Sequence, residues 1–310
     1  MHRADVIRFL VRWLVIGVVA SVVAFGIARL MPTTPMEQML ASRQMPATEE
    51  NVAALEHEWG LDRPLPEQYL AWVANFVRGD WGTSLASRVD IRSEFARKIP
   101  YTLGVGVGGL VIGSVAAFFL GYRAACRPRG VSDRLSRLLA VLGQTVPSFI
   151  LAMLVIQVLG VRLRVVKFFT NGSAAGVVTA ALIVALYLVG NLARVVKVHF
   201  LEQRRRPYVR FAVARGYDEP SYLLRHATRP VLCGLAGVLA ARVPQAIGGS
   251  SVMEFAFGIP GISYFLISSL QAKDYYALQS YIMVVVLVMF VSQVVLEVGV
   301  GLLGGREEGA

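Results

Sequence analysis

Apolar positions along the chain gather into long runs, not into the short stripes of an amphipathic soluble fold. Six runs approach the roughly 20 apolar residues that a helix needs to cross the hydrocarbon of a bilayer. They are Leu10 to Leu30, Thr102 to Tyr122, Leu138 to Gly160, Ala174 to Ala193, Val231 to Met253 and Tyr281 to Leu303. Polar segments of uneven length separate them. The pattern predicts an all-α membrane protein of six transmembrane helices. The even number of spans places both termini on one side. The first run is too long for a signal-peptide core and lacks a small-residue cleavage motif after it, so it reads as a retained anchor.

Composition agrees with that picture. Charged residues make up 16% of the 310 positions, against about 25% in soluble domains. The net charge of +11 would point to nucleic acid in a soluble protein. Here the bases follow the membrane pattern. With the N-terminus inside, the inner pieces (1–12, 123–137, 194–230 and the tail) hold 18 of the 31 Lys and Arg residues. The outer pieces (31–101, 161–173 and 254–280) hold 11. The first outer piece exceeds the roughly 60 residues over which the positive-inside rule applies, and without it the balance is 18 to 4. Both termini are therefore expected in the cytosol, and no nucleic-acid partner is implied. The organisation reads as a cytosolic end with the first span (1–30), an extracytoplasmic segment (31–101), a five-span core (102–303) carrying a cytosolic loop (194–230), and a tail (304–310).

That inner loop contains "RRRPYVRFAVARGYDEPSYLLRHATRP", Arg204 to Pro230. Tyr208 to Arg215 reads as one short helix, with Gly216 as its stop. Asp218 and Glu219 before Pro220 start a second, and Leu223, Leu224 and Ala227 give it an apolar face. Ala212, Ala214 and Gly216 are small enough to admit another surface, and Tyr208 and Phe211, three apart, form an aromatic ridge. Those features suit docking to a protein. The plainer alternative is a basic loop resting on anionic lipid.

Here the residues carry a resemblance. "YVRFAVARG" followed by "LLRHATRPVL" resembles the cytoplasmic coupling loop of permease subunits of peptide/nickel-type ATP-binding-cassette importers. "WGLDRPLPEQYLAWVANFVRGDWGTSL", "IPYTLGVGVGGLVIG", "GQTVPSFILAMLVIQVLG" and "GGSSVMEFAFGIPGISYFLISSLQAKDYYALQSYIM" resemble further segments of that family in the same order. The chain departs from it at Arg206 and Pro207, where the family usually carries an acidic pair, and at Val213, often basic. The resemblance implies the type I importer permease fold and a loop, centred on Tyr208, Phe211, Ala212, Ala214 and Gly216, that sits in a cleft of an ATPase subunit. It also implies a second permease subunit, two ATP-binding subunits and an extracytoplasmic substrate-binding protein. Peptides, nickel and metal-chelating opines are all substrates of such systems.

The chain's own residues are consistent with this. A phosphate loop needs a Gly-Lys pair, yet none of the lysines Lys98, Lys167, Lys197 and Lys273 follows a glycine. No cofactor is therefore expected in this chain, and ATP with Mg belongs to partner subunits. The histidines lack metal-ligand spacing, and Cys126 and Cys233 suggest no disulfide or thiolate site. Polar groups within spans mark a translocation path, because facing lipid is unfavourable. Arg242, Gln245, Gly249 and Glu254 are the expected path residues. Gln144, Gln157 and Asn191 read as interhelical hydrogen-bonding groups, Glu297 as a neutral acid at a helix contact, and Asp5 and Asp133 as solvated charges. A secondary transporter or channel is the alternative from another class. It would call for paired repeats and membrane acids for ion coupling, and one membrane glutamate with no obvious repeat argues against it.

Overall fold

The computed structural model describes residues 3–29, 40, 45–46, 48–58, 62–84, 88–168, 173–271 and 274–304. Its named elements are helical. In chain order they are α1 (Arg3–Arg29), α2 (Glu49–Glu58), α3 (Leu65–Arg78), α4 (Ile91–Cys126), α5 (Val131–Thr145), α6 (Ser148–Val155), α7 (Ala174–Arg204), α8 (Pro207–Ala214), α9 (Glu219–His226), α10 (Thr228–Phe257), α11 (Ile262–Gln271) and α12 (Tyr275–Gly304). A π-helical turn, Ile156–Arg162, continues α6.

Among the described residues four helices are long and apolar enough to cross a membrane: α1, α4, α7 and α12. The count reaches six when each of two bent pairs is taken as one span. The third expected span is not a continuous rod. Its helix starts at Val131, stops at Thr145, and meets α6 at 101°. The cause is local. Pro147 has no N–H to donate and pushes the residue before it out of the helical region, and Val146 is accordingly extended at φ −93°, ψ 119°. The fifth span bends by 50° at Pro244, where the ring removes one hydrogen bond and crowds the carbonyl four residues earlier.

The chain divides into two compact units, residues 1–99 with 264–290 and residues 100–263 with 291–310. In the first, α3 begins beside Pro64 and Pro66 and ends at Gly79 in the left-handed region, φ 87°. A relay of ring contacts runs through Phe25, Tyr69, Trp72, Phe76, Trp81, Phe95 and Phe265. Asp274 is fully buried; it accepts from the Ser84 hydroxyl at 2.5 Å and from the Ala277 N–H at 3.2 Å, which caps α12.

In the second unit α7 packs against α5 and α10. It also meets α4 backbone to backbone. A Cβ at Gly113 would lie 3.2 Å from the Ala185 carbonyl oxygen, and one at Gly121 would lie 2.5 Å from that of Ala193. Small residues permit this approach, which drives helix association where lipid supplies no hydrophobic force. Asp133 departs from the solvated charge expected of it. It is buried on α5, accepts from Lys197 Nζ of α7 at 2.7 Å and from the Arg129 N–H at 3.0 Å, and also faces Arg137. A carboxylate removed from water needs such partners.

Candidate functional site

The segment between α7 and α10 is built as a lever. α7 continues without a break through "RVVKVHFLEQR" to Arg204, so its polar end is one rod with its apolar part. Pro207 opens α8, because proline suits the first helical position, and Gly216 ends it. The glycine adopts φ 89°; its N–H reaches the Val213 carbonyl at 2.9 Å and the Tyr217 N–H reaches that of Ala212 at 3.2 Å. This is the Schellman pattern, in which a left-handed residue satisfies the last helical carbonyls. Asp218 then caps α9 by accepting from the Ser221 N–H at 3.0 Å. Hydrogen bonds from Ser221, side chain and backbone, hold the Asp218 carboxyl below its ordinary value.

Three sets of contacts fix α8 and α9 to the long helices. Arg204 at the end of α7 grips both carboxylate oxygens of Glu219, Nη2 to Oε2 at 2.8 Å. The Tyr122 hydroxyl of α4 donates to the Pro220 carbonyl at 2.9 Å. Val209, Leu223, Ala227 and Val231 join Phe200, Val196, Leu192 and Ala117 in one buried cluster. Planar, bidentate guanidinium–carboxylate pairing adds direction to attraction.

What remains outside combines apolar and aromatic side chains with the exposed Arg206, Arg210 and Arg215. Phe211 is 69% exposed, Tyr217 61%, Val213 41% and Tyr208 38%. Ala214 and Gly216 are also exposed. Ala212 is not available for docking as expected: it is buried at 6% against its own chain. Leu223 of α9 and Ala227 just beyond it turn inward, while Leu224 is 38% exposed.

Arg242 and Gly249 border a cavity of about 340 Å³ with Gln144, Ser148, Tyr187 and Asn191. Arg242 also borders an adjoining cavity of about 510 Å³ with Arg194 and His199. Gln144 Nε2 donates to Asn191 Oδ1 at 3.1 Å, joining α5 to α7 as read from the sequence. The Gln245 side chain lies outside the described residues. Glu254 does not border either cavity. It is wholly buried; Oε1 accepts from the Ser250 hydroxyl at 3.1 Å and Oε2 from the Ser263 N–H at 2.9 Å. The carboxylate thus holds the start of α11 beneath the Pro-Gly turn, where the exposed N–H groups of a helix favour negative charge. The Thr102 hydroxyl accepts from the Ile262 N–H beside it at 2.9 Å. Glu297 is half-buried on α12.

Comparison with known proteins decides the class. Residues 109–307 match the family described as binding-protein-dependent transport system inner membrane component. Residues 4–105 match the N-terminal membrane component of the same systems. The chain belongs to this family. It is an inner-membrane permease of an ATP-binding-cassette importer, a multi-pass transport component and not a catalyst. The dipeptide transport system permease protein DppB of Bacillus subtilis is 27% identical over 289 residues, 93% of this chain and 92% of the relative. Its namesake from Lactococcus lactis subsp. cremoris is 27% identical over 252 residues, 81% of each chain. The glutathione transport system permease protein GsiC of Escherichia coli K12 is 28% identical over 280 residues, 90% of each. As a permease of such an importer, the chain implies ATPase and binding-protein partners.

Arg204–Glu219, Asp133–Lys197 and the Glu254 latch were not found by sequence reasoning. Their only signal was a polar residue in or beside an apolar run. The 15 residues from Arg204 to Glu219 and the 64 from Asp133 to Lys197 hide each pairing.

Proposed function

We propose that this permease carries peptides or peptide-like solutes inward along a path shared with a second, homologous permease. The chain crosses the membrane six times with both termini in the cytosol, each bent helix pair counting as one span. One of two ATPase subunits docks on the exposed face of α8 and α9. An extracytoplasmic binding protein delivers the solute, and ATP with Mg is held by the ATPases alone. Arg242 and Gly249 face the path.

The observation that carries this reading is the lever: an exposed aromatic face on α8, bonded through α9 to the ends of α4, α7 and α10. Closure of an ATPase against that face moves three long helices together, because the cluster and the Arg204–Glu219 pair leave little slack. A loop that only rested on headgroups would not require such fixation. The full-length relatives named for dipeptides and glutathione support a peptide-like solute. The cavity that Arg242 shares with Gln144 and Asn191 supports its route, since an arginine within a span faces water or a polar partner.

The test is reconstitution of the chain with its partner subunits in proteoliposomes, scoring ATP hydrolysis and uptake of labelled dipeptide, glutathione and a nickel chelate. Uptake and binding-protein-stimulated hydrolysis with the peptides are expected. Uptake of the nickel chelate alone would overturn the substrate assignment. Uptake driven by an ion gradient without ATPase subunits would overturn the coupling.

A further inference from the structure

Gln144 and Asn191 join α5 to α7 at 3.1 Å, yet the two helices do not depend on that bond to meet. A Cβ at Gly143 would lie 3.1 Å from the Tyr187 carbonyl oxygen, and one at Gly190 would run into the Ala140 backbone. The Tyr187 hydroxyl donates to the Val146 carbonyl at 2.8 Å, and Lys197 holds Asp133. Close backbone approach at small residues therefore sets the spacing, and the amide pair is carried on it. The break before Pro147 adds to this: α5 ends at Thr145, so Gln144 stands in its last turn.

The pair lies where two cavities meet. The one of about 340 Å³ extends to Ser148 and Gly249, and the one of about 510 Å³ to Arg194 and His199. Among the described residues, Gln144, Asn191 and Arg242 are the three that border both. A solute moving from one cavity to the other passes these side chains. Gln144 is exposed and Asn191 half-buried, so the amides are open to it.

Their chemistry is selective. Gln144 Nε2 donates to Asn191 Oδ1, which leaves Gln144 Oε1 to accept and Asn191 Nδ2 to donate. Among the described residues neither of those two atoms has another hydrogen-bond partner. One acceptor beside one donor complements a backbone amide, which offers one N–H and one C=O. Neither side chain is charged, so the pair can hold an amide and release it.

We propose that Gln144 and Asn191 determine the specificity of the path for peptides: Gln144 Oε1 accepts from a peptide N–H while Asn191 Nδ2 donates to the carbonyl of the same amide. This rests on the reading that the solute passes the cavities at Arg242. It adds what the path recognises there, the amide bond and not the side chains of the peptide.

The experiment uses the full complex in proteoliposomes, with the binding protein saturated by glycylglycine or by glycylsarcosine, whose tertiary amide keeps the carbonyl and has no N–H. Uptake per loaded binding protein is scored, so capture does not enter the comparison. Glycylglycine should enter about 3- to 10-fold faster, the worth of one neutral hydrogen bond. Gln144→Met should bring the two dipeptides to parity. Asn191→Leu should slow both, because both keep the carbonyl. Lys197→Met breaks another bond between the same two helices, outside the cavities; it should lower the melting temperature and leave the preference unchanged. Equal uptake of the two dipeptides by the unaltered chain, or a preference that survives Gln144→Met, would refute the amide pair and leave peptide transport standing. A preference lost in Lys197→Met as well would reduce the pair to a packing contact. Uptake of neither dipeptide, with the nickel chelate still entering, would overturn the peptide reading and the pair with it.

Discussion

Phe211→Ala separates a docking surface from a structural one. The ring is 69% exposed on α8. Fully burying a phenylalanine side chain is worth about 1.5–3 kcal/mol. With roughly two-thirds of that burial still to come, docking should gain about 1–2 kcal/mol from this residue. The variant should therefore bind its ATPase about 5- to 30-fold more weakly, while the permease keeps its own melting temperature. Leu223→Ala is the contrast. Leu223 is 2% exposed within the cluster joining α9 to α4, α7 and α10, and emptying such a site costs about 2–5 kcal/mol of fold stability. The assay is titration of immobilised permease with purified ATPase, alongside thermal unfolding of each variant. Unchanged affinity in Phe211→Ala at an unchanged melting temperature would refute docking on α8. A lowered melting temperature in Phe211→Ala would show that the ring serves its own fold.

Three further outcomes are expected. Gly216→Leu meets no neighbour, since nothing lies within 4 Å of a Cβ there, but φ 89° is unfavourable for any side chain by about 1–2 kcal/mol; the chain should insert normally while stimulated ATP hydrolysis falls, and normal hydrolysis would exclude a coupling role for the turn. Arg242→Leu should leave complex assembly intact and alter uptake, whereas failed assembly on a native gel would make Arg242 an interface residue. Single cysteines at Val77 and Ser221, both exposed, in a chain lacking Cys126 and Cys233, should react from opposite membrane faces; labelling from one face would overturn the six-span topology.

Much of this protein is written in short stretches. The apolar runs are local, and so are the helix stop at Gly216 and the start around Asp218 and Pro220. Each depends on hydropathy or backbone preference within a few residues, so the sequence alone determines it. The family resemblance, carried by several ordered motifs, was legible for the same reason. The bend at Pro147 was not read: the sequence shows Leu138 to Gly160 as one span, and the structure breaks it at 101°.

The partners of polar and small residues were not legible. Asp133 looked solvated and is paired with Lys197. Glu254 looked like a path residue and instead holds the Ser263 N–H. Ala212 looked like a docking position and faces inward. A small side chain permits close approach without saying whose backbone approaches, and a carboxylate in an apolar setting demands a donor without naming it. Only the tertiary structure decides these, because the answer depends on distances between atoms tens of residues apart in the chain.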